Sequence, residues 1–225
     1  MLVLVVDSAT PAITAAVVEV GTGAVTLRAE RVSVDGRAHG ELLAPGIEAV
    51  LREAGAAPGQ LAAIVAGVGP GPFTGLRVGL VTAAAMGDAL RVPTYGVCSL
   101  DALGGAVPAG ETTLAATDAR RREVYWGVYR DGVRLAGPAV DRPGDLAGPI
   151  ADHGVTRAVG AGAALYAEAL GVPVLAEPRY PVALVLAEQA AARVRASAPG
   201  EPLTPLYLRR PDAVEPGARK AVSGR

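Results

Sequence analysis

The residues best equipped to do chemistry fall in four short stretches. Asp7, Ser8 and Thr10 follow the apolar run Leu2-Val3-Leu4-Val5-Val6 and so sit at the mouth of a strand. A carboxylate and two hydroxyls there can hold a divalent cation and nucleotide phosphates; the same residues also favour an Asx-type turn that bonds nearby amides. The second stretch, Gly67 to Gly75, is glycine-rich and lies between a strand and a helix, where free amides and the helix dipole favour anions. Its spacing fails the dinucleotide pattern, because Pro72 stands where a third glycine is needed. It also fails the P-loop pattern, because Gly75 is followed by Leu76-Arg77 instead of lysine and a hydroxyl residue. Pro70 and Pro72 remove two amides from any phosphate nest, which favours a rigid turn that aims the next helix.

His39 and the run Arg120-Arg121-Arg122 complete the set. A helical metal pair needs a second ligand three or four residues on, and those positions hold Leu42 and Leu43; Glu41 faces elsewhere. No metal site is therefore expected. The arginines could meet RNA phosphates or form a solvated turn. With His39 and His153 as the only histidines, neither beside a nucleophile, no serine triad and no other catalytic residue is expected.

Composition narrows the classes further. Hydrophobic residues make up 51% and charged residues 19%, which describes a packed globule. Formal net charge is −1, so no global field draws nucleic acid, and this chain alone is expected to hold RNA poorly. Every basic residue but Lys220 is arginine, which excludes a P-loop lysine or a Schiff base. Cys98 is the only cysteine, so no intrachain disulfide or cysteine-rich metal site forms. Leu2 to Val6 is too short for a signal peptide, and no apolar run reaches the roughly 18 residues of a membrane span. The cytoplasm is the expected compartment.

The elements that must position these residues read as α/β. Leu2 to Val6, Ile13 to Val20 and Val25 to Val34 predict three antiparallel strands. Leu43, Ile47, Val50, Leu51 and Ala54 keep helical spacing up to a stop at Gly55. Leu61 to Val68 predicts a buried strand, Phe73 to Leu90 a helix and Val92 to Val97 a further strand. Strands over Leu114 to Thr117, Val124 to Tyr129 and Val133 to Val140 open a less regular second half, which closes with a helix over Val182 to Ala196. Two successive βββαβα-like units follow, with lobes at 1–100 and 101–210 and a mobile tail at 211–225.

Gly75, Gly79, Ala83 and Gly87 recur every fourth residue, a stripe nearly free of side chains. An interior glycine costs about 0.8–1.0 kcal/mol relative to alanine, so something must approach this stripe closely. Packing within the chain and reception of a partner helix both satisfy that need.

Taken together these segments resemble the TsaB (YeaZ) family. The match runs through Leu4-Val5-Val6-Asp7-Ser8-Ala9-Thr10, His39-Gly40-Glu41-Leu42-Leu43-Ala44-Pro45 and Gly69-Pro70-Gly71-Pro72-Phe73-Thr74-Gly75-Leu76-Arg77-Val78-Gly79. It continues in Val97-Cys98-Ser99-Leu100, Asp118 to Tyr125 and Pro205-Leu206-Tyr207-Leu208-Arg209. Pro72 is a departure, since relatives commonly carry serine there.

The resemblance implies an actin-like (ASKHA) fold of two lobes, the second abbreviated. It implies an accessory subunit of a TsaD-like transferase, acting with a TsaE-like ATPase. Their joint product is N6-threonylcarbamoyladenosine beside the anticodon of tRNAs reading codons that begin with A. TsaD-like proteins carry two histidines four apart; here His39 is followed by Leu43 at that spacing. The resemblance assigns His39, Glu41, Leu42, Leu43, Ile47, Gly75, Leu76, Gly79, Ala83 and Met86 to a partner interface, with a homodimer as its use when the partner is absent. It leaves ATP or ADP with magnesium at Asp7, Ser8 and Thr10 as the alternative, at the lobe cleft or a subunit interface. A peptidase, suggested by the family's older glycoprotease label, lacks both metal pair and nucleophile. Direct tRNA contact rests on Arg120 to Arg122 and Arg209-Arg210.

Overall fold

The computed structural model describes residues 1–209; the expected tail at 211–225, with Lys220, and Arg210 lie outside the described residues. Strands β1 (Leu2–Asp7), β2 (Ala12–Val20) and β3 (Val25–Val34) form the antiparallel meander that the alternation predicts. Helix α1 (His39–Glu53) leads to β4 (Leu61–Gly67), then α2 (Phe73–Leu90) and β5 (Thr94–Val97). β4 and β5 add in parallel, giving the sheet order β3-β2-β1-β4-β5. A short helix α3 (Ser99–Gly104), which the sequence reading did not distinguish, crosses to a second sheet of β6 (Thr113–Asp118), β7 (Val124–Arg130), β8 (Val133–Asp141) and β9 (Arg157–Val159). Its order, β8-β7-β6-β9, repeats the first with one strand fewer. This is the actin-like arrangement of two mixed sheets, the second abbreviated.

β1 reads as a continuous apolar run because both of its faces are covered. Val3 and Val5 point to one core and Leu4 and Val6 to another. On the second face, α1 and α2 supply Leu43, Ile47, Leu76, Leu80 and Ala83. On the first face the cover comes from far along the chain. After short helices α4 (Ala147–Asp152), α5 (Ala161–Leu165) and α6 (Ala167–Leu170), helix α7 (Ala183–Arg195) returns and buries Ala183, Leu186, Ala187 and Ala190 against that sheet. The segment after α7 then runs back along β5. The Glu201 amide donates to the Thr94 carbonyl at 2.8 Å and the Leu206 amide to the Val68 carbonyl at 2.8 Å.

α3 joins the two sheets: Ala102 packs into the core of the first, while Leu100 and Leu103 pack with Ala115, Tyr125, Tyr129 and Val159 of the second. The Tyr129 hydroxyl donates to Asp101 at 2.9 Å, and Arg134 pairs with the same carboxylate at 3.0 Å. Burial and that carboxylate raise the Tyr129 phenol, which therefore stays protonated as the donor.

Leu186 is fully buried where the last helix meets the first sheet. Leu186→Ala is expected to cost about 2–5 kcal/mol, read as a lower urea midpoint with unchanged slope. A change under about 1 kcal/mol would mean that α7 is not part of the first core.

Candidate functional site

The turn between β1 and β2 is both polar and buried: Asp7, Ser8 and Thr10 are all nearly inaccessible. Asp7 accepts from the Ser99 hydroxyl at 2.5 Å and from the Ala9 amide at 3.0 Å. The Ser8 hydroxyl donates to the Gly75 carbonyl at 2.8 Å and accepts from the Gly79 amide at 2.9 Å. Thr10 accepts from the Ala12 amide at 3.2 Å, the hydroxyl counterpart of an Asx turn. His39 Nε2 lies 2.8 Å from the Thr10 carbonyl; a carbonyl only accepts, so Nε2 carries the proton. Each group is engaged within the chain.

The glycines explain how the turn is seated. A Cβ on Gly79 would overlap the Ser8 hydroxyl, and one on Gly67 would overlap the Asp7 carboxylate. On Gly75 it would lie 3.1 Å from both the His39 ring and the Ser8 carbonyl. Gly87 is closed in the same way by Thr94 of β5. The side-chain-free stripe therefore admits this chain's own turn and strand. Gly75, Gly79 and Ala83, expected to receive a foreign helix, are all buried in the chain itself. Leu43, Ile47, Leu76 and His39 are likewise enclosed, because they fill the space between α1, α2 and the sheet. Of the expected interface residues, Glu41 and Leu42 are exposed and Met86 is half-buried.

Nor do Asp7, Ser8 and Thr10 fit a nucleotide with magnesium. Their polar atoms are already paired, and Asp7 is walled off behind Gly67 and Ser99. The cleft beside them, lined by Ser8, Thr10, His39, Thr74, Asp118 and Arg120, measures about 220 Å³. Small-molecule sites usually span about 300–1,000 Å³. A larger groove of about 810 Å³, lined by Asp88, Arg91 and Glu201 among others, lies at the far end of α2. Among the described residues no cluster of three or more His, Cys, Asp or Glu side chains is arranged to hold a metal.

Sequence reasoning missed Ser99, whose hydroxyl ties the turn to the Gly69 amide at 3.2 Å as well as to Asp7. It sits 92 residues from Asp7, and no local pattern marks such a partner. Arg120, read as an RNA contact, reaches the cleft, with its guanidinium 3.5 Å from the position a Gly36 side chain would take. Arg121 and Arg122 are exposed on the same turn, and His153 is exposed just after α4.

A sequence profile described as "TsaD: tRNA N6-adenosine threonylcarbamoyltransferase" matches residues 32–209. The chain belongs to the TsaB (YeaZ) family. It is 34% identical to the tRNA threonylcarbamoyladenosine biosynthesis protein TsaB of Escherichia coli K12, over 58% of this chain and 55% of that one. It is 51% identical to an uncharacterised protein of Mycobacterium leprae, over 94% of this chain but 56% of that one. The structure of YeaZ from Pseudomonas aeruginosa aligns with a TM-score of 0.69 at 29% identity, covering 89% of this chain and 99% of that one. The chain thus spans about half the length of these two curated relatives and nearly all of the solved YeaZ chain.

Two outcomes test the seat of the turn. Gly79→Ala drives a methyl into the Ser8 hydroxyl and is expected to destabilise by about 1–3 kcal/mol, whether or not any partner is present. Thermal unfolding within 1 °C of the parent chain would contradict the packing. The second concerns Asp7, whose carboxyl is pushed up to about 6 by burial, against the Ser99 hydroxyl, the Ala9 amide and nearby His39. The folded chain therefore binds a proton more tightly than the unfolded one, and stability is lost as pH rises through about 4 to 6. The loss is on the order of 3 kcal/mol. Asp7→Asn is expected to gain on the parent by that order between pH 4 and pH 7 in urea titrations; a pH-independent difference contradicts the reading.

Proposed function

We propose that this chain is an accessory subunit in the formation of N6-threonylcarbamoyladenosine on tRNA. It binds and activates a TsaD-like transferase, alongside a TsaE-like ATPase, and carries no chemistry of its own. The observation that carries this reading is the inward commitment of its reactive groups. His39 is bonded to the Thr10 carbonyl, and Leu43, at the spacing of a second histidine, is core. Asp7 and Ser8 are spent on holding loop and helix. The names of the TsaB relatives place them in this biosynthesis.

With the glycine stripe sealed, the outward face of α2 remains, where Val81 is 63% exposed beside Ala84 and Ala85. Leu42 on α1, 37% exposed, extends it. Small and apolar residues on two adjacent helices suit a helical partner, over a total buried area of at least roughly 1,000 Å². A second copy of this chain covers the same face when the transferase is absent.

Val81→Glu with Leu42→Glu is expected to abolish co-purification with the TsaD-like protein of the same cell and to remove stimulation of tRNA modification. Stability should move by less than about 0.5 kcal/mol per exposed site. Full stimulation by a folded double variant would defeat the proposed surface. Modification that proceeds equally well without this chain would defeat the role itself.

A further inference from the structure

We infer that the rim of the small cleft is a platform for unpaired nucleotides of an RNA strand, with the Phe73–Tyr207 pair taking a base and the arginine turn taking phosphates. The inference rests on the reading that this chain works on tRNA within a complex. It starts from a placement that core packing does not explain. The chain has a single phenylalanine, and Phe73 is left 48% exposed, paired with Tyr207, itself 41% exposed. Their ring centroids are 5.1 Å apart at 30°, and the Arg77 guanidinium sits 4.7 Å over the Phe73 ring. An exposed aromatic pair beside a guanidinium offers a stacking surface that any base can use.

The same rim carries further positive charge. Phe73 lies between Pro72 and Thr74, which line the cleft together with Gly36 and Arg120. Arg37 follows Gly36 and is exposed. Arg120, Arg121 and Arg122 hold consecutive left-handed backbone conformations, with φ of 64°, 53° and 62°, an arrangement uncommon for residues other than glycine and asparagine. The turn is kept by Asp118, which accepts from the Arg120 amide at 2.9 Å, and by the Ala119 amide donating to the Glu123 carbonyl at 3.0 Å. Arg209 completes the hold, donating to the Ala119 carbonyl at 2.8 Å and pairing with Glu123. Arg209 is two residues from Tyr207, so one segment fixes both the aromatic ring and the arginine turn. The net charge of −1 keeps the attraction local and weak, so the chain alone is expected to hold RNA weakly at low salt.

Fluorescence anisotropy with a labelled single-stranded 12-mer of uridine, and with a duplex RNA of equal length, tests the platform on the full chain. The single strand is expected to bind more tightly, and to weaken roughly tenfold between 50 and 200 mM NaCl if two or three phosphates are held. Tyr207→Ala should weaken binding about tenfold while Tyr207→Phe keeps it. Arg120→Asn with Arg122→Asn should flatten the salt dependence, since asparagine accepts the left-handed turn. Circular dichroism checks that each variant folds. Equal binding of duplex, no binding at 50 mM NaCl, or indifference to Tyr207→Ala overturns the inference. If Tyr207→Ala instead weakens association with the transferase and leaves RNA unaffected, the rings belong to a protein contact and the platform is refuted. If RNA binding is absent while the chain still stimulates the transferase, the platform alone fails and the accessory role stands.

Discussion

Everything in the first half of this molecule depends on one buried polar turn being accepted by a wall without side chains. Asp7 and Ser8 leave the end of β1 inside the protein, where an unpaired carboxylate or hydroxyl is strongly unfavourable. They are satisfied only because Gly67, Gly75 and Gly79 let backbone and side chain approach closer than any Cβ permits. The hydroxyl of Ser8 bridges the Gly75 carbonyl and the Gly79 amide, an i, i+4 pair in the first turns of the helix. The loop, the start of α2 and the start of α1 are thereby fixed to the strand that organises the sheet.

That arrangement accounts for the division between inside and outside on the two helices. The polar atoms of the turn face inward and are mutually bonded, and the middle of the outward surface of α2, at Val81, Ala84 and Ala85, is apolar and small. A similar turn at the mouth of a strand serves ligands only when its oxygens are free. Here they are bonded within the chain.

Much of the fold was legible in the sequence. The three opening strands, α2 from Phe73 to Leu90 and the second meander follow the expected bounds to within a residue or two, because their apolar periodicities are set by local geometry. The alternation also marked Leu43 and Ile47 as one face of a helix, yet periodicity tells only that a face is covered, not by what. The glycine stripe was legible as a demand for close approach; what approaches it, Ser8, lies about seventy residues away in sequence, and no spacing rule reaches that far. Ser99 and α3 escaped for the same reason. Their roles are long-range bonds to Asp7 and to Tyr129, made after the chain has doubled back. The position of α7 was equally invisible, since an amphipathic helix does not declare which sheet it covers.

The helix at Ala183–Arg195 has a consequence for how the chain comes into being. It covers β1 with a segment made about 180 residues later. Until then Val3, Val5, Ala16 and Val18 present a bare apolar sheet, at a translation speed of about 5–20 residues per second an interval of roughly ten to forty seconds. Nascent protein thus waits half-clothed over that interval, and chaperones have their clearest opportunity on that face.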